Sequence, residues 1–231
     1  MQSGRNISKD LFSHESSDFP PSLTKDGRMY HGTKREILDC IVPNSSETGK
    51  PQTTAAVLDG PVVIQSLRPV NSITIQEYID NVIYPHLGNF LEVNDRVDVV
   101  FDVYKKSSIK SATREERGKG IRRRVKLTTK VPRNWASFLR VDLNKEELFV
   151  EIANPIKNME IPIDKQVFIT RKDECLSSAD LDLSALAPSN HEEADTRIFV
   201  HVADAAKQGH RSIVVRTNDS DVVVIAVSVV V

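Results

Sequence analysis

The chain has 231 residues, 39% of them hydrophobic, which suits one α/β domain with a buried core, whereas its formal net charge of −1 is uninformative. The N-terminal stretch 1–20 is polar and mixed in charge, which excludes a secretory signal there. The long apolar tract 222–231 falls well short of the ~20 residues of a membrane span, so the sequence predicts no membrane partner.

The cysteines and the lack of several common motifs narrow the function classes further. Cys40 and Cys175 have no metal-ligand spacing and favour a reducing compartment, so an intracellular location, nucleus or cytoplasm, is expected. A disulfide between them is the open alternative. The sequence contains no GxxxxGK[ST] phosphate loop, no CxxC pair and no GxSxG elbow, which argues against the sites that these motifs form.

The N-terminal part of the chain is predicted to precede the folded domain. Residues 1–22 are rich in Ser, Asp and Pro, a composition typical of disorder. Residues 23–54 are predicted to form a lead-in with a short helix over 33–40 and a turn-rich connector. The α/β domain is expected over 55–231 and, because the chain stops inside an apolar run, to be incomplete at its C-terminus.

Three predicted strands each end on one or two aspartates. The strands span 55–58, 97–101 and 212–217, and the acids that follow are Asp59, Asp102, Asp219 and Asp221. In an open parallel sheet the carboxyl ends of strands border the ligand crevice. Carboxylates gathered there repel one another unless a hard cation joins them, so a metal site is predicted. Turn chemistry is the alternative, since Asp-Gly and Asn-Asp-Ser are common turn formers.

Helices are predicted between these strands. A capping box at Thr74 begins a helix that is interrupted near Pro85, a second helix spans 134–152, and the clearest one spans 190–208 with Asn190 as its cap. The face of this last helix that is predicted to be buried carries Ala194, Ile198, Val202 and Ala205. With a further strand over 165–170, the alternation predicts a three-layer α/β/α fold around a mostly parallel sheet.

Two charged segments accompany the strand-end acids. Glu193 and Asp195 lie in the first turn of the helix 190–208, where the helix dipole alone would favour negative charge. The segment 105–133 has twelve Lys or Arg against two Glu and directly follows Asp102. It suits contact with substrate phosphates, although a solvated face or a nuclear localisation patch is the alternative.

Four stretches of the chain resemble the flap-endonuclease/XPG branch of the PIN-like nucleases, in the order that the family has them. They are AAVLDG, VVFDVYKKSSIKSATREERGKGIRRR, HEEADTRIFVHVADAAKQG and IVVRTNDSDVVV, within about 55–225. The closest likeness is to animal proteins with this core, some of them associated with mobile elements. The resemblance implies a PIN-like three-layer fold and metal-dependent hydrolysis of DNA or RNA.

The resemblance also implies roles for individual residues. The matched metal ligands are Asp59, Asp102, Glu193, Asp195, Asp219 and Asp221, with Asp59, Asp102, Glu193 and Asp219 as the catalytic set around Mg²⁺ or Mn²⁺. The residues matched to phosphate binding are Lys110, Arg114, Arg122, Arg123 and Arg124. Since residues two apart on a helix point some 200° apart, Glu193 and Asp195 can share a site only if the helix begins near Glu193.

Two other functions are compatible with the sequence. A non-catalytic descendant of the same fold would bind nucleic acid or protein without cleaving it. Phosphoryl transfer on a small molecule, with Asp219 and Asp221 as nucleophile and acid, is the third interpretation. The long basic segment favours a nucleic-acid substrate over a small molecule.

Overall fold

The computed structural model describes residues 24–26, 28–32, 36–39, 52–104 and 120–229. The chain divides into two units, 1–45 and 46–231. In the first unit, strand β1 (Thr24–Lys25) pairs antiparallel with β2 (Arg28–Met29), and a single helical turn, α1, spans Glu36–Asp39. The predicted disordered segment 1–22 lies outside the described residues.

A central sheet organises the second unit. Its described strands are β3 (Ala55–Asp59), β4 (Arg96–Val100), β5 (Gln166–Arg171), β6 (Glu174–Ser177) and β7 (Ile213–Arg216). They lie in the order β6-β5-β4-β3-β7, with β6 antiparallel to β5 and every other pair parallel. The α/β class and the mostly parallel sheet are thus confirmed. Strand β6 was not predicted, because it is four residues long and begins and ends on a polar side chain.

Helices cover both faces of this sheet. They are α2 (Gly60–Ser66), α3 (Ile75–Tyr78), α4 (Tyr84–Val93), α5 (Trp135–Leu139), α6 (Asp142–Ala153), α7 (Ala194–Lys207) and α8 (Ser220–Val229). A π-helical turn, Ile79–Ile83, joins α3 to α4, and a 3₁₀ turn, Asn154–Asn158, continues α6.

The alternation of side chains along β3 explains the three layers. Ala56 and Leu58 point into the larger core, which the helices α2 to α6 complete. Val57 points to the other face, where it packs with Ile198 of α7 and Val222 of α8. Because successive strand residues face opposite sides of a sheet, one apolar strand supplies both cores. The three-layer α/β/α prediction is therefore confirmed.

The capping prediction at Thr74 is confirmed, but the predicted single helix over 134–152 is wrong. Thr74 accepts a hydrogen bond from the backbone N–H of Glu77 at 3.2 Å, and the helix predicted to be interrupted near Pro85 changes to the π-helical turn Ile79–Ile83 before Pro85, which lies in the first turn of α4. Asn134 caps α5, which ends at Leu139, before α6 begins at Asp142. After the break, Leu143 in the first turn of α6 is 47% exposed.

The described part of the apolar tract 222–231 is only partly buried. It is helical, in α8, and only one face of that helix is packed. Val222 is buried, whereas Val224 and Val227 are 44% and 50% exposed. Within the part of the chain that the structure describes, no helix has both the length and the apolar character of a membrane span.

Candidate metal centre

The topology brings the strand-end acids to one edge of the sheet. The chain passes from β3 to β4 on one side and returns through β7 to the other side of β3. The carboxyl ends of β3 and β7 therefore flank a switch point in the strand order, which is where open α/β sheets bind ligands. Asp59 ends β3, and Asp219 follows β7 by three residues.

Three aspartates form the carboxylate cluster, defined here as Asp195, Asp219 and Asp221. Each offers a carboxylate oxygen, and these oxygens lie within 4.8 Å of one another. Asp195 belongs to the first turn of α7 and Asp221 to that of α8, while the backbone N–H of Asp221 donates to Oδ1 of Asp219 at 2.9 Å. The N-termini of two helices and the end of one strand thus converge on the cluster.

The start of α7 determines which of its acids reaches the cluster. Glu193 has extended backbone angles, φ −104° and ψ 141°, and the helix begins at Ala194. The geometric requirement that the helix begin near Glu193 is therefore met. Asp59, Asp102 and Glu193 lie outside the group of three, although the charge of each raises the pKa of Asp195.

Asp59 is the buried member of the predicted ligand set, at 3% exposure. Its Oδ2 accepts a hydrogen bond from the hydroxyl of Thr217 at 2.8 Å, and its Oδ1 accepts one from the N–H of Val62 at 3.2 Å. Thr217 in turn accepts from the N–H of Asp219 at 3.0 Å, so one hydroxyl links the ends of β3 and β7. Burial raises the pKa of Asp59, and Asp102 and Asp219 raise it further, against the lowering effect of these hydrogen bonds.

Asp102 joins the end of β4 to the start of α7. Its Oδ1 accepts a hydrogen bond from the N–H of Ala194 at 2.9 Å, and the N–H of Val103 donates to the carbonyl of Glu192 at 2.7 Å. The cap predicted at Asn190 is wrong, because α7 begins at Ala194 and the carboxylate that accepts from the N–H of Ala194 is that of Asp102, two residues after β4. A carboxylate at a helix N-terminus is favoured by the helix dipole as well as by its hydrogen bond.

The carboxyl group of Asp195 responds to both the burial and the charge of this edge. Its pKa is raised to about 6, first by burial and then by the charges of Asp219, Asp102, Asp59 and Glu193. Acids from four elements are therefore close enough to oppose one another's ionisation. Bringing a cation among them would reverse this effect, because an opposite charge favours the ionised form.

The donors present fit a hard divalent ion. All three groups of the carboxylate cluster offer carboxylate oxygen, which is the ligand type of Mg²⁺ and Mn²⁺ rather than of softer metals. Asp195, Asp219 and Asp221 are the residues that could hold one ion. Asp59 and Asp102 already accept hydrogen bonds from the protein. An ion bound beside them would therefore have to use the lone pairs of their carboxylate oxygens that do not accept these bonds.

The predicted phosphate-binding residues are only partly described. Lys110 and Arg114 lie outside the described residues. Arg122, Arg123 and Arg124 are exposed and lie in an extended segment that Asn144 of α6 holds by hydrogen bonds to its backbone. Arg122 also forms an ion pair with Glu147, so its charge is partly neutralised within the protein.

A buried polar network beneath α7 was not predicted from the sequence. Arg96 donates to Asp98 at 2.7 Å and to Asp204 at 2.7 Å, and a hydrogen bond of 2.8 Å joins His201 to Asp98. The guanidinium of Arg96 also lies 4.1 Å from the ring centre of Phe168. The sequence feature that could have predicted this network is the pair Arg96 and Asp98. These residues are two positions apart in an otherwise apolar strand, so their side chains lie on the same face of the sheet. The network fixes α7 to β4, and through α7 it positions Asp195.

Comparisons of this chain with protein-family models, with curated proteins and with solved structures find no match. The resemblance to PIN-like nucleases therefore rests on the sequence motifs and stays a prediction. The same holds for the metal ions, for the nucleic-acid partner and for the role of each acid.

Proposed function

We propose that this chain is a divalent-metal-dependent nuclease-like domain that hydrolyses phosphodiesters of DNA or RNA. The observation that supports the proposal most directly is the carboxylate cluster, in which Asp195, Asp219 and Asp221 bring three oxygens within 4.8 Å of one another. Its position at the carboxyl ends of β3 and β7 adds to the argument, because that edge is the usual ligand crevice of an open α/β sheet.

The residues around the cluster have separable tasks in this proposal. Bound divalent ions supply an activated water and stabilise the oxygen that leaves the phosphodiester. Asp195, Asp219 and Asp221 hold the ion. Thr217 donates to Asp59 and accepts from the N–H of Asp219, so it fixes the direction of the turn after β7. Asp102 fixes the start of α7 and hence the place of Asp195.

The test is cleavage of single-stranded, flapped and structured nucleic acids in Mn²⁺ by wild-type protein and by the Asp219→Asn variant. The amide keeps the acceptor that the N–H of Asp221 needs, so the fold is retained while a charged ligand is lost. We expect a loss at least on the order of 10–100-fold, the range known for weaker perturbations of metal sites. Asp164→Asn, an exposed acid outside the site, is the matched control and should cleave like wild type.

Cleavage that is absent from the wild type, or equal in wild type and Asp219→Asn, would contradict the enzymatic proposal. The second candidate function, a non-catalytic nucleic-acid-binding module, is favoured by the hydrogen bonds that already engage Asp59 and Asp102. That module would bind nucleic acid with an affinity that falls steeply with salt but does not respond to Mg²⁺.

A further inference from the structure

A second concave site lies at the other end of α2 from Asp59. It is a pocket of about 1120 Å³, bordered by the end of α2, by the loop that follows it, by residues 130–134 and by α5. We call it the basic pocket and define it by Arg68, Lys130, Arg133, Arg140 and Trp135. Its volume is slightly above the roughly 300–1,000 Å³ that small-ligand sites occupy.

The walls of the basic pocket are held by backbone pairing rather than by loose loops. The N–H of Ile75 donates to Thr129 and the N–H of Val131 donates to Ile73, both at 2.9 Å, and Thr74 and Lys130 form a β-bridge. These contacts fix the segment that carries Lys130 against the start of α3. The pocket is therefore a preformed feature of the fold, as ligand sites usually are.

Trp135 fixes the opposite wall and gives the pocket an apolar floor. Its indole N–H donates to the carbonyl of Ile64 in α2 at 3.3 Å. Its ring packs edge-on against Tyr78 and stacks with Phe138, each at 5.1 Å between centres. Trp135 is 8% exposed, so only an edge of its indole faces the pocket. Its fluorescence can therefore respond to a bound ligand, while its packing is provided by the core.

The charge of the basic pocket is of one sign. Four of the described residues that line it are exposed cations, and no described residue of the lining is an acid. The cations are Arg68, Lys130, Arg133 and Arg140. Within the described part of the chain, none of the four forms an ion pair, in contrast to Arg122 with Glu147. A concave site with several uncompensated cations attracts anions and raises their local concentration.

The apolar part of the lining distinguishes this site from a charged surface. Pro69, Leu139 and the edge of Trp135 line it together with Ile73, which is 67% exposed. Isolated cations would suit any inorganic anion, but apolar contacts also favour a ligand with an apolar or planar body. We infer that the basic pocket binds ligands that join phosphate to such a body, as nucleotides do, either free or within a strand.

The basic pocket is distinct from the carboxylate cluster. Asp59 caps the start of α2, whereas Arg68 follows its end, and a helix of seven residues is ~10 Å long at 1.5 Å per residue. Binding there is therefore independent of a metal ion and of phosphodiester cleavage. Loss of the proposed nuclease activity would therefore leave ligand binding in the basic pocket unchanged.

The experiment uses the full chain in EDTA, so that no divalent ion is bound and no cleavage occurs. Calorimetry measures the binding of inorganic tripolyphosphate, of uridine 5′-monophosphate and of a short oligouridylate, while the emission of Trp135, the one tryptophan of the chain, reports where they bind. We expect saturable binding of the mononucleotide and the oligouridylate with a change in emission, whereas tripolyphosphate, which has no apolar body, should bind more weakly; tighter binding of tripolyphosphate than of both would contradict the inference. Preference for the oligouridylate identifies a strand as the ligand, and equal binding of the mononucleotide identifies a free nucleotide.

Charge removal inside and outside the pocket provides the control. The Lys130→Ser/Arg133→Ser double variant should weaken binding several-fold. The plot of log K against log salt should also become less steep, by ~1 for each removed cation that contacts a phosphate. Arg211→Ser removes an exposed cation that is not part of the pocket and should bind like wild type. The inference is overturned by unsaturable binding of all three probes, by their failure to change the emission, or by an equal loss in Arg211→Ser.

Discussion

At the scale of single residues, the Asp195 carboxyl group links stability to pH. Its pKa is raised to about 6, because of burial first and then of the charges of Asp219, Asp102, Asp59 and Glu193, whereas the ordinary value is 3.8. Between these two pH values the folded state holds a proton that the unfolded chain has released. The free energy of unfolding therefore falls as the pH rises from about 4 to about 6, and levels off above that.

We predict that Asp195→Asn removes this pH dependence. The amide cannot ionise, so the variant should gain stability relative to wild type as the pH is raised from 4 to 7.5 in the absence of divalent ions. The measurement is the urea midpoint of both proteins across that range. Asp164→Asn, the exposed control, should show no such trend, and a trend of equal size there would contradict the explanation.

At the scale of elements, Asn144 of α6 holds the basic segment that precedes α5. Its side chain is fully buried, donates to the carbonyls of Ile121 and Phe138 at 2.9 Å and 3.0 Å, and accepts from the N–H of Arg123 at 2.9 Å. One carboxamide thus satisfies backbone groups from two separate segments. Truncation would remove the bonds to the carbonyl of Ile121 and from the N–H of Arg123, which is more costly than the loss of an exposed contact.

We predict that Asn144→Ala lowers the free energy of unfolding by about 1–3 kcal/mol and speeds hydrogen exchange at Arg123. Denaturant titration and amide exchange measure the two effects. Glu147→Gln is the matched comparison, because it keeps an acceptor for the N–H of Val125 and loses the charge and the acceptor that face Arg122. Its cost should stay within about 1 kcal/mol. Equal destabilisation by both variants would show that the segment is held by charge instead.

The elements also show what the sequence could and could not reveal. The buried face of α7 was predicted correctly at Ala194, Ile198 and Ala205, because the helical period is a local property of the sequence. The cap of α7 was not predicted correctly, because the acceptor that caps it, Asp102, lies 92 residues before Ala194 in the chain. Periodicity can be read locally, whereas a contact between distant elements requires the fold.

At the scale of the whole molecule, the same distinction applies to the site. The strand-end acids and the parallel sheet together predicted that Asp59, Asp102 and Asp219 would share one edge, which the observed topology provides. Which oxygens lie closest could not be read from the sequence, since that depends on where α7 and α8 begin. The structure favours Asp195, Asp219 and Asp221, and gives Asp59 and Asp102 hydrogen bonds that join the elements.

The concentration of acids at one edge predicts that divalent ions stabilise the whole domain. Without an ion, burial and then mutual repulsion of these acids oppose their ionisation in the folded state, and both raise the pKa of Asp195. An ion that binds only the folded state at 100 times its Kd adds about 2.7 kcal/mol, which corresponds to about 5–11 °C in Tm for a chain of this size. We therefore expect Mg²⁺ or Mn²⁺ to raise the Tm of wild-type protein measured by differential scanning calorimetry.

The Asp219→Asn variant makes this last prediction specific to the site. Loss of one charge relieves repulsion, so the variant should melt at or above the wild-type temperature in EDTA. It should also lose most of the rise that Mn²⁺ produces, because a cluster ligand has become neutral. KCl at matched ionic strength controls for general screening of the acids. A Tm rise that is equal in wild type and variant, or that KCl reproduces, would show that the acids respond to salt rather than to a bound ion.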